Sequence, residues 1–224
     1  MNFIQMGKSR YQIRLCENKE CGLRYPLLKD SPFGTTCPRC SSSTRLPDTL
    51  ILEGEAANQE GPNPVVHLEA LMDNVHSAWN VGSMFRTADG AGIIRRLFLC
   101  GITPTPESSL IRKTSLGAEK YVSWHHDTNG VRAVIALKKQ GKRLWALESD
   151  ERSESLFDLM NEQICGSIVL VVGNENVGVD RGIIEHCERL ISIPMYGAKR
   201  SLNVAVAFGI AAFTIANFLN RLDN

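Results

Sequence analysis

The chain has 224 residues, which allows one ordinary domain plus a small module or two small domains. Hydrophobic residues at 43% and charged residues at 22% exclude a disordered or fibrous protein. A formal net charge of +1 provides no global field that would announce a nucleic acid partner, so any such affinity has to come from local basic patches.

Met1 to Arg14 contains no apolar run followed by a cleavage-like site, so no signal peptide is expected and the protein is read as cytoplasmic. Four of the seven cysteines crowd the first 40 residues, as Cys16-x4-Cys21 and Cys37-Pro38-Arg39-Cys40 separated by Gly22 to Thr36. Two such pairs on turns can wrap one tetrahedral Zn²⁺ with every position filled, which implies a structural ion. A segment this short cannot build a sufficient core, so the metal would also supply folding energy. Two disulfides or four unrelated thiols are the alternatives, and the missing export signal favours zinc. Lys8, Arg10, Arg14, Lys19, Arg24 and Arg39 could turn this module toward RNA, or form a solvated surface with the acidic residues among them. Cys100, Cys165 and Cys187 have no partner spacing and read as free thiols.

Composition changes near residue 41. The module is assigned to residues 1–45, and residues 46–64, polar and rich in glycine and proline, to a linker with a short strand at Thr49 to Glu53. Beyond it, 65–224 forms the second domain. Strands are predicted at Val65 to Leu71, Arg96 to Cys100, Lys142 to Leu147, Ser167 to Val172 and Leu190 to Ile193. Helices are predicted at Val81 to Ala91, Gly130 to Gln140, Asp180 to Cys187 and Asn203 to Leu222. This alternation gives an α/β fold, a parallel sheet with helices on both faces. The last helix is apolar nearly all round, so it is either a central core helix or packs also against a second subunit. Its apolar run, Val204 to Leu219, is interrupted by Gly209, Thr214 and Asn217 and is shorter than the ~20 residues of a bilayer span, so no membrane segment is expected.

Three loops carry candidate chemistry. In Asn74 to Thr87, Asn80 suits a helix cap, Gly82 permits close approach, and Arg86 supplies a guanidinium, six residues on and expected on the same side, for phosphate or carboxylate. Val171 to Asp180 is a two-glycine turn after an apolar strand, without a nucleotide-binding signature. Its Glu175 opposes a bare phosphate and suits a cofactor with a positive group, such as the sulfonium of S-adenosylmethionine. Ile193 to Asn203 joins a strand to the last helix, with Ser201 and Asn203 at the helix start and Lys199-Arg200 available for phosphates.

In this order, Asn80-x-Gly82-x-x-x-Arg86-Thr87-Ala88, Gly173-Asn174-Glu175-x-x-Gly178 and Ile193-Pro194-Met195 followed by Ser201-Leu202-Asn203-x-Ala205 resemble the SpoU (TrmH-like) family of RNA ribose 2′-O-methyltransferases, within the SPOUT superfamily. Lys113 to Glu119 is a further echo, and the likeness covers about residues 65–222. The resemblance implies a C-terminal trefoil knot and a homodimer in which the first loop of one subunit completes the site of the other. It implies S-adenosylmethionine held near Leu147, Glu148, Gly173, Asn174, Gly178, Ile193, Met195 and Leu202. Arg86 is then the catalytic residue, with Asn80, Glu175, Ser201 and Asn203 shaping the ribose and phosphate site of a tRNA or rRNA. A catalytically silent RNA-binding protein and a base-modifying SPOUT enzyme are the competing functions. The cysteine module is an addition to the family's core.

Overall fold

The computed structural model describes residues 11–28, 31, 35–47, 68–161 and 166–222. The N-terminal module is a three-stranded antiparallel sheet of β1 (Tyr11–Cys16), β2 (Arg24–Leu28) and β3 (Thr44–Arg45), with β1 in the middle. Its core is small: Cys16, Cys21, Leu23, Tyr25 and Cys37, with Leu27 and Ile102 packed against it. Ile102 belongs to the second domain, so the module lies against that domain directly. Two cations read as candidates for RNA contact prove to be internal. Arg14 donates to the Thr44 hydroxyl at 3.0 Å and to its carbonyl, and Arg24 forms a buried ion pair. Both hold the module together or in place, because a buried guanidinium has to find acceptors. Lys19 and Arg39 are exposed, whereas Lys8 and Arg10 lie outside the described residues.

The second domain holds a seven-stranded, wholly parallel sheet: β4 (Leu68–Asp73), β5 (Ile94–Cys100), β6 (Ser123–Asp127), β7 (Arg143–Leu147), β8 (Glu154–Ser155), β9 (Ile168–Val172) and β10 (Arg189–Ser192), in the order β6-β5-β4-β9-β7-β10-β8. Residues alternate between two cores across it. Leu68, Ala70, Met72, Ile168, Leu170 and Val172 pack on one side, and Leu71, Val169 and Val171 on the other. Helices α1 (Ala78–Ala91), α2 (Ser109–Ser115) and α5 (Val204–Leu222) cover the first side, while α3 (Gly130–Lys139) and α4 (Arg181–Ile184) cover the second. The predicted α/β class therefore holds.

Several details differ from expectation. β6, with the sequence Ser-Trp-His-His-Asp, is an edge strand exposed on its outer side, so it lacks the apolar run that marks the central strands. α2 is seven residues long, too short for clear periodicity. The helix expected over Asp180 to Cys187 shrinks to four residues, with Asp180 as its cap. The expected strand at Thr49 to Glu53, most of the linker, and Cys165 lie outside the described residues. In α5, Phe208, Ala211, Ala212, Ile215 and Ala216 are buried, but Val206 and Phe213 each remain 51% exposed. Among the described residues, only one side of this apolar helix is covered.

Candidate functional site

At the carboxyl ends of β7, β9 and β10 lies an open cleft of about 470 Å³, walled by three turns. Leu147 and Glu148 come from the first; Gly173, Asn174, Glu175 and Gly178 from the second; Ile193, Met195, Ser201, Leu202 and Asn203 from the third. Crevices outside the carboxyl ends of strands are where open α/β sheets bind ligands. All eight residues expected to hold a cofactor line this one cleft. Arg200, expected to be available for phosphates, also lines it, as do Ser149, Val172, Asn176, Ser192, Val204 and Ala207, which carried no motif signal.

The second turn is closed by its own backbone, as Asn174 and Gly178 exchange amide-to-carbonyl hydrogen bonds of 3.1 and 2.9 Å. The Asn174 side chain accepts from Asn176 and Val177 amides and donates to the Asn74 carbonyl at 2.7 Å. Gly173 has to be glycine, since a Cβ there would lie 2.2 Å from the backbone of Gly178 and Val179. Glu148 accepts the Val179 amide at 2.9 Å, which ties the first turn to the second.

Glu175 joins the cleft to the first loop. Its carboxylate accepts the amides of His76 (3.0 Å) and Ser77 (3.1 Å) and the Asn80 side-chain amide (2.9 Å). Burial opposes its charge, yet these donors and its own amide outweigh that effect and hold its pKa below the ordinary glutamate value. Asn203 then donates to the Asn80 carbonyl oxygen at 3.1 Å while its own oxygen caps α5 through the Ala205 amide at 2.9 Å. Asn80, Glu175 and Asn203, three chemistry-bearing residues from three loops, thus form one hydrogen-bonded chain.

Two sequence readings change here. Ser77, not Asn80, caps α1, accepting the Asn80 amide at 3.3 Å, which frees the Asn80 side chain for Glu175. Gly82 faces α2 and not a ligand, because a Cβ would collide with Thr114 and with the Ile111 carbonyl. Asn80 lines no part of the cleft surface itself, and neither does Arg86. Six helical positions turn about 600°, which leaves Asn80 and Arg86 about 120° apart. Arg86 is exposed and makes no hydrogen bond or ion pair among the described residues. Ser201 is exposed at the cleft mouth.

The cysteine module forms a second cluster. The sulfurs of Cys16, Cys21, Cys37 and Cys40 all lie within 4.8 Å of one another, with 3.5 Å between Cys16 and Cys40 and 3.9 Å between Cys21 and Cys37. None is disulfide-bonded.

Sequence reasoning missed one constellation altogether. The Arg24 guanidinium forks onto Asp180 at 2.5 and 2.9 Å, and the Asp180 amide donates to Asp73 at 3.0 Å. Burial, and then the Asp180 carboxylate, push the Asp73 pKa up to about 7. The partners are far apart in the chain, and no local spacing announces them.

A parallel sheet flanked by helices, with a glycine-turned cleft at its carboxyl edge, defines an α/β protein built to bind a small organic ligand. Residues 67–213 match the family model described as the SpoU rRNA Methylase family, and the chain belongs to that family. It is similar to the 23S rRNA (guanosine-2'-O-)-methyltransferase RlmB of Pasteurella multocida, with 35% identity over 173 residues, 75% of this chain and 63% of the relative. The corresponding protein of Haemophilus ducreyi is 34% identical over 161 residues, 70% of this chain and 61% of that one. The chain therefore spans less than two thirds of the length of these curated relatives. Solved structures resemble it too. A TrmH-family chain from Porphyromonas gingivalis superposes with a TM-score of 0.60 at 28% identity, covering 69% of this chain and 61% of that one. The TrmH/SpoU tRNA modifying enzyme of A. aeolicus gives 0.61 at 27%, covering 70% and 77%.

Proposed function

We propose that the protein transfers the methyl group of S-adenosylmethionine to a ribose 2′-hydroxyl of ribosomal RNA, and that it works as a homodimer with the knotted C-terminal fold of its family. The observation that carries this reading is the Asn80–Glu175–Asn203 chain at the rim of a cleft lined by all eight expected cofactor residues. The cleft suits the cofactor: the Glu148 and Glu175 carboxylates on its wall favour a cation, and turn backbones line the remainder. When bound, S-adenosylmethionine supplies an electrophilic methyl group on a sulfonium. Glu175, kept ionised by neutral donors, orients Asn80, and Asn203 fixes the opposite edge of that amide. Among the described residues Arg86 has no hydrogen bond or ion pair; in this reading it belongs to the partner's site, with the half-exposed Val206 and Phe213 of α5 contributing to the interface. A guanidinium holds its proton too firmly to serve as a good base. Arg86 therefore positions the RNA phosphate and stabilises charge as the 2′-oxygen loses its proton to phosphate or water.

The test incubates the protein with labelled S-adenosylmethionine and ribosomal RNA and then hydrolyses the product in alkali. A 2′-O-methyl group blocks cleavage at its 3′ linkage, so label is expected in alkali-resistant dinucleotides. Label in alkali-sensitive mononucleotides would mean base methylation, and RNA binding without label a silent protein. Arg86→Lys is expected to lose at least tenfold in turnover because it lacks the planar fork, and full activity would remove Arg86 from the mechanism.

The cysteine cluster is read as a structural Zn²⁺ site. Four thiolates at about 2.3 Å from zinc sit about 3.8 Å apart at the corners of a tetrahedron, close to the observed 3.5 and 3.9 Å. One zinc per chain by elemental analysis is expected. Among the described residues, no helix is long and apolar enough to cross a membrane.

A further inference from the structure

Arg24 stands three residues beyond Cys21, at the start of β2, and its backbone amide donates to the Thr128 carbonyl of the second domain at 3.1 Å. Its side chain is 10% exposed, and that of its partner Asp180 is 3% exposed. Asp180 is crowded with duties. One oxygen accepts both the Arg24 guanidinium and the Gly182 amide that begins α4, and its own amide reaches the buried Asp73. Of the two preceding residues, Gly178 lines the cleft wall and pairs with Asn174, and the buried Val179 is anchored by Glu148. Three consecutive residues therefore connect the cleft wall, the first turn and the N-terminal module.

Two carboxyl groups this close in the interior repel each other when both are charged and both lose hydration, so the charged one needs a counter-ion. Among the described residues, the cation paired with Asp180 is Arg24, and it comes from the module. We infer that Arg24 is a positioning residue for the cleft: it is the counter-ion that lets Asp73 and Asp180 remain buried side by side, and through Asp180 it fixes the Gly178 wall of the cofactor site. The module is then a working part of the cleft and not an appendage to it. This inference rests on the reading of the cleft as the S-adenosylmethionine site.

Arg24→Gln, Asp180→Asn and the double variant test it, in the full chain, by calorimetric titration with S-adenosylmethionine. Hydrogen exchange at the Val179, Asp180 and Gly182 amides and zinc content are measured alongside. Arg24→Gln is expected to weaken binding about tenfold or more and to speed exchange at those amides while zinc is retained. In the double variant no charge is left unpaired at that position, and the asparagine introduced there can still cap α4. Its affinity should return to within about threefold of wild type. A mere tether predicts no such rescue, so a double variant as weak as Arg24→Gln overturns the counter-ion role. Wild-type affinity in Arg24→Gln overturns the inference outright. If the wild type binds no S-adenosylmethionine, the cofactor reading fails on its own, and the exchange rates at 179–182 still decide the role of Arg24. Should Arg24→Gln not fold, Arg24→Lys keeps the counter-charge without the fork: affinity within about threefold of wild type is expected, and a loss of about tenfold or more would overturn the counter-ion role.

Discussion

Glu175 and Asp180 sit on the same turn and find their partners by contrasting means. Glu175, at the rim, accepts only from neutral groups, namely two backbone amides and the Asn80 side chain, and its pKa falls. Asp180, in the interior, takes a formal cation, and its neighbour Asp73 still has its pKa raised to about 7. The difference follows from solvent. Near water a few well-aimed dipoles suffice to hold a carboxylate ionised, whereas inside the protein lost hydration leaves one carboxyl group dependent on a counter-ion and makes its neighbour hold its proton more firmly. A rim carboxylate of the first kind can meet substrate. One of the second kind holds structure in place.

The most damaging way to break this contrast is to deform the turn that carries both groups. Gly173→Ala would drive a Cβ to 2.2 Å from the backbone of Gly178 and Val179, which cannot yield as a flexible side chain would. Cofactor binding should vanish in titration, and Tm should fall by roughly 6–12 °C for a cost of about 3 kcal/mol. Glu175→Gln is gentler. The fold should persist, but an amide turns a donor toward groups that themselves donate, and kcat/KM should drop about 10²-fold. Steady-state methyl transfer, compared with the modest fall in the melting temperature, would separate chemistry from stability.

A further test sharpens the contrast through pH. Asp73 has its folded pKa raised to about 7, so the native state keeps a proton that the unfolded chain has already released. Stability should therefore decline as pH rises from about 4 to 7, by at most about 1.4 kcal/mol per unit, and Asp73→Asn should flatten that slope. Glu175 carries the opposite sign. Its depressed pKa contributes stability above the ordinary carboxylate range that is lost as pH falls through the folded value. Urea unfolding of both variants from pH 3 to 8 reads the two slopes separately.

What could be read from sequence follows the range of each interaction. The strands β4 and β9 are buried on both faces, so Leu68 to Met72 and Ile168 to Val172 show nearly unbroken apolar runs. At the sheet edge, β6 has one exposed side and carries Ser123, His125 and His126, so it left no such trace. The cleft was legible because its walls are turns, and turns need glycine and asparagine at fixed places. The role of Asn80 was only half visible. Ser77 had already taken the cap, and the angle to Arg86 follows from the helical repeat rather than from the motif. The Arg24–Asp180 pair was invisible, because neither residue has an unusual neighbour and their partnership exists only in the folded chain.

That same pair has a consequence for synthesis on the ribosome. Arg24 and Asp180 are 156 residues apart in the chain. At 5–20 residues per second, about 8–30 seconds pass between the emergence of the guanidinium and the arrival of its carboxylate. The N-terminal module can fold early around its cysteines, but the docking face that carries Arg24 waits, hydrated and uncommitted, for the last third of the polypeptide. Docking of the module is thus completed only when two segments 156 residues apart in sequence meet.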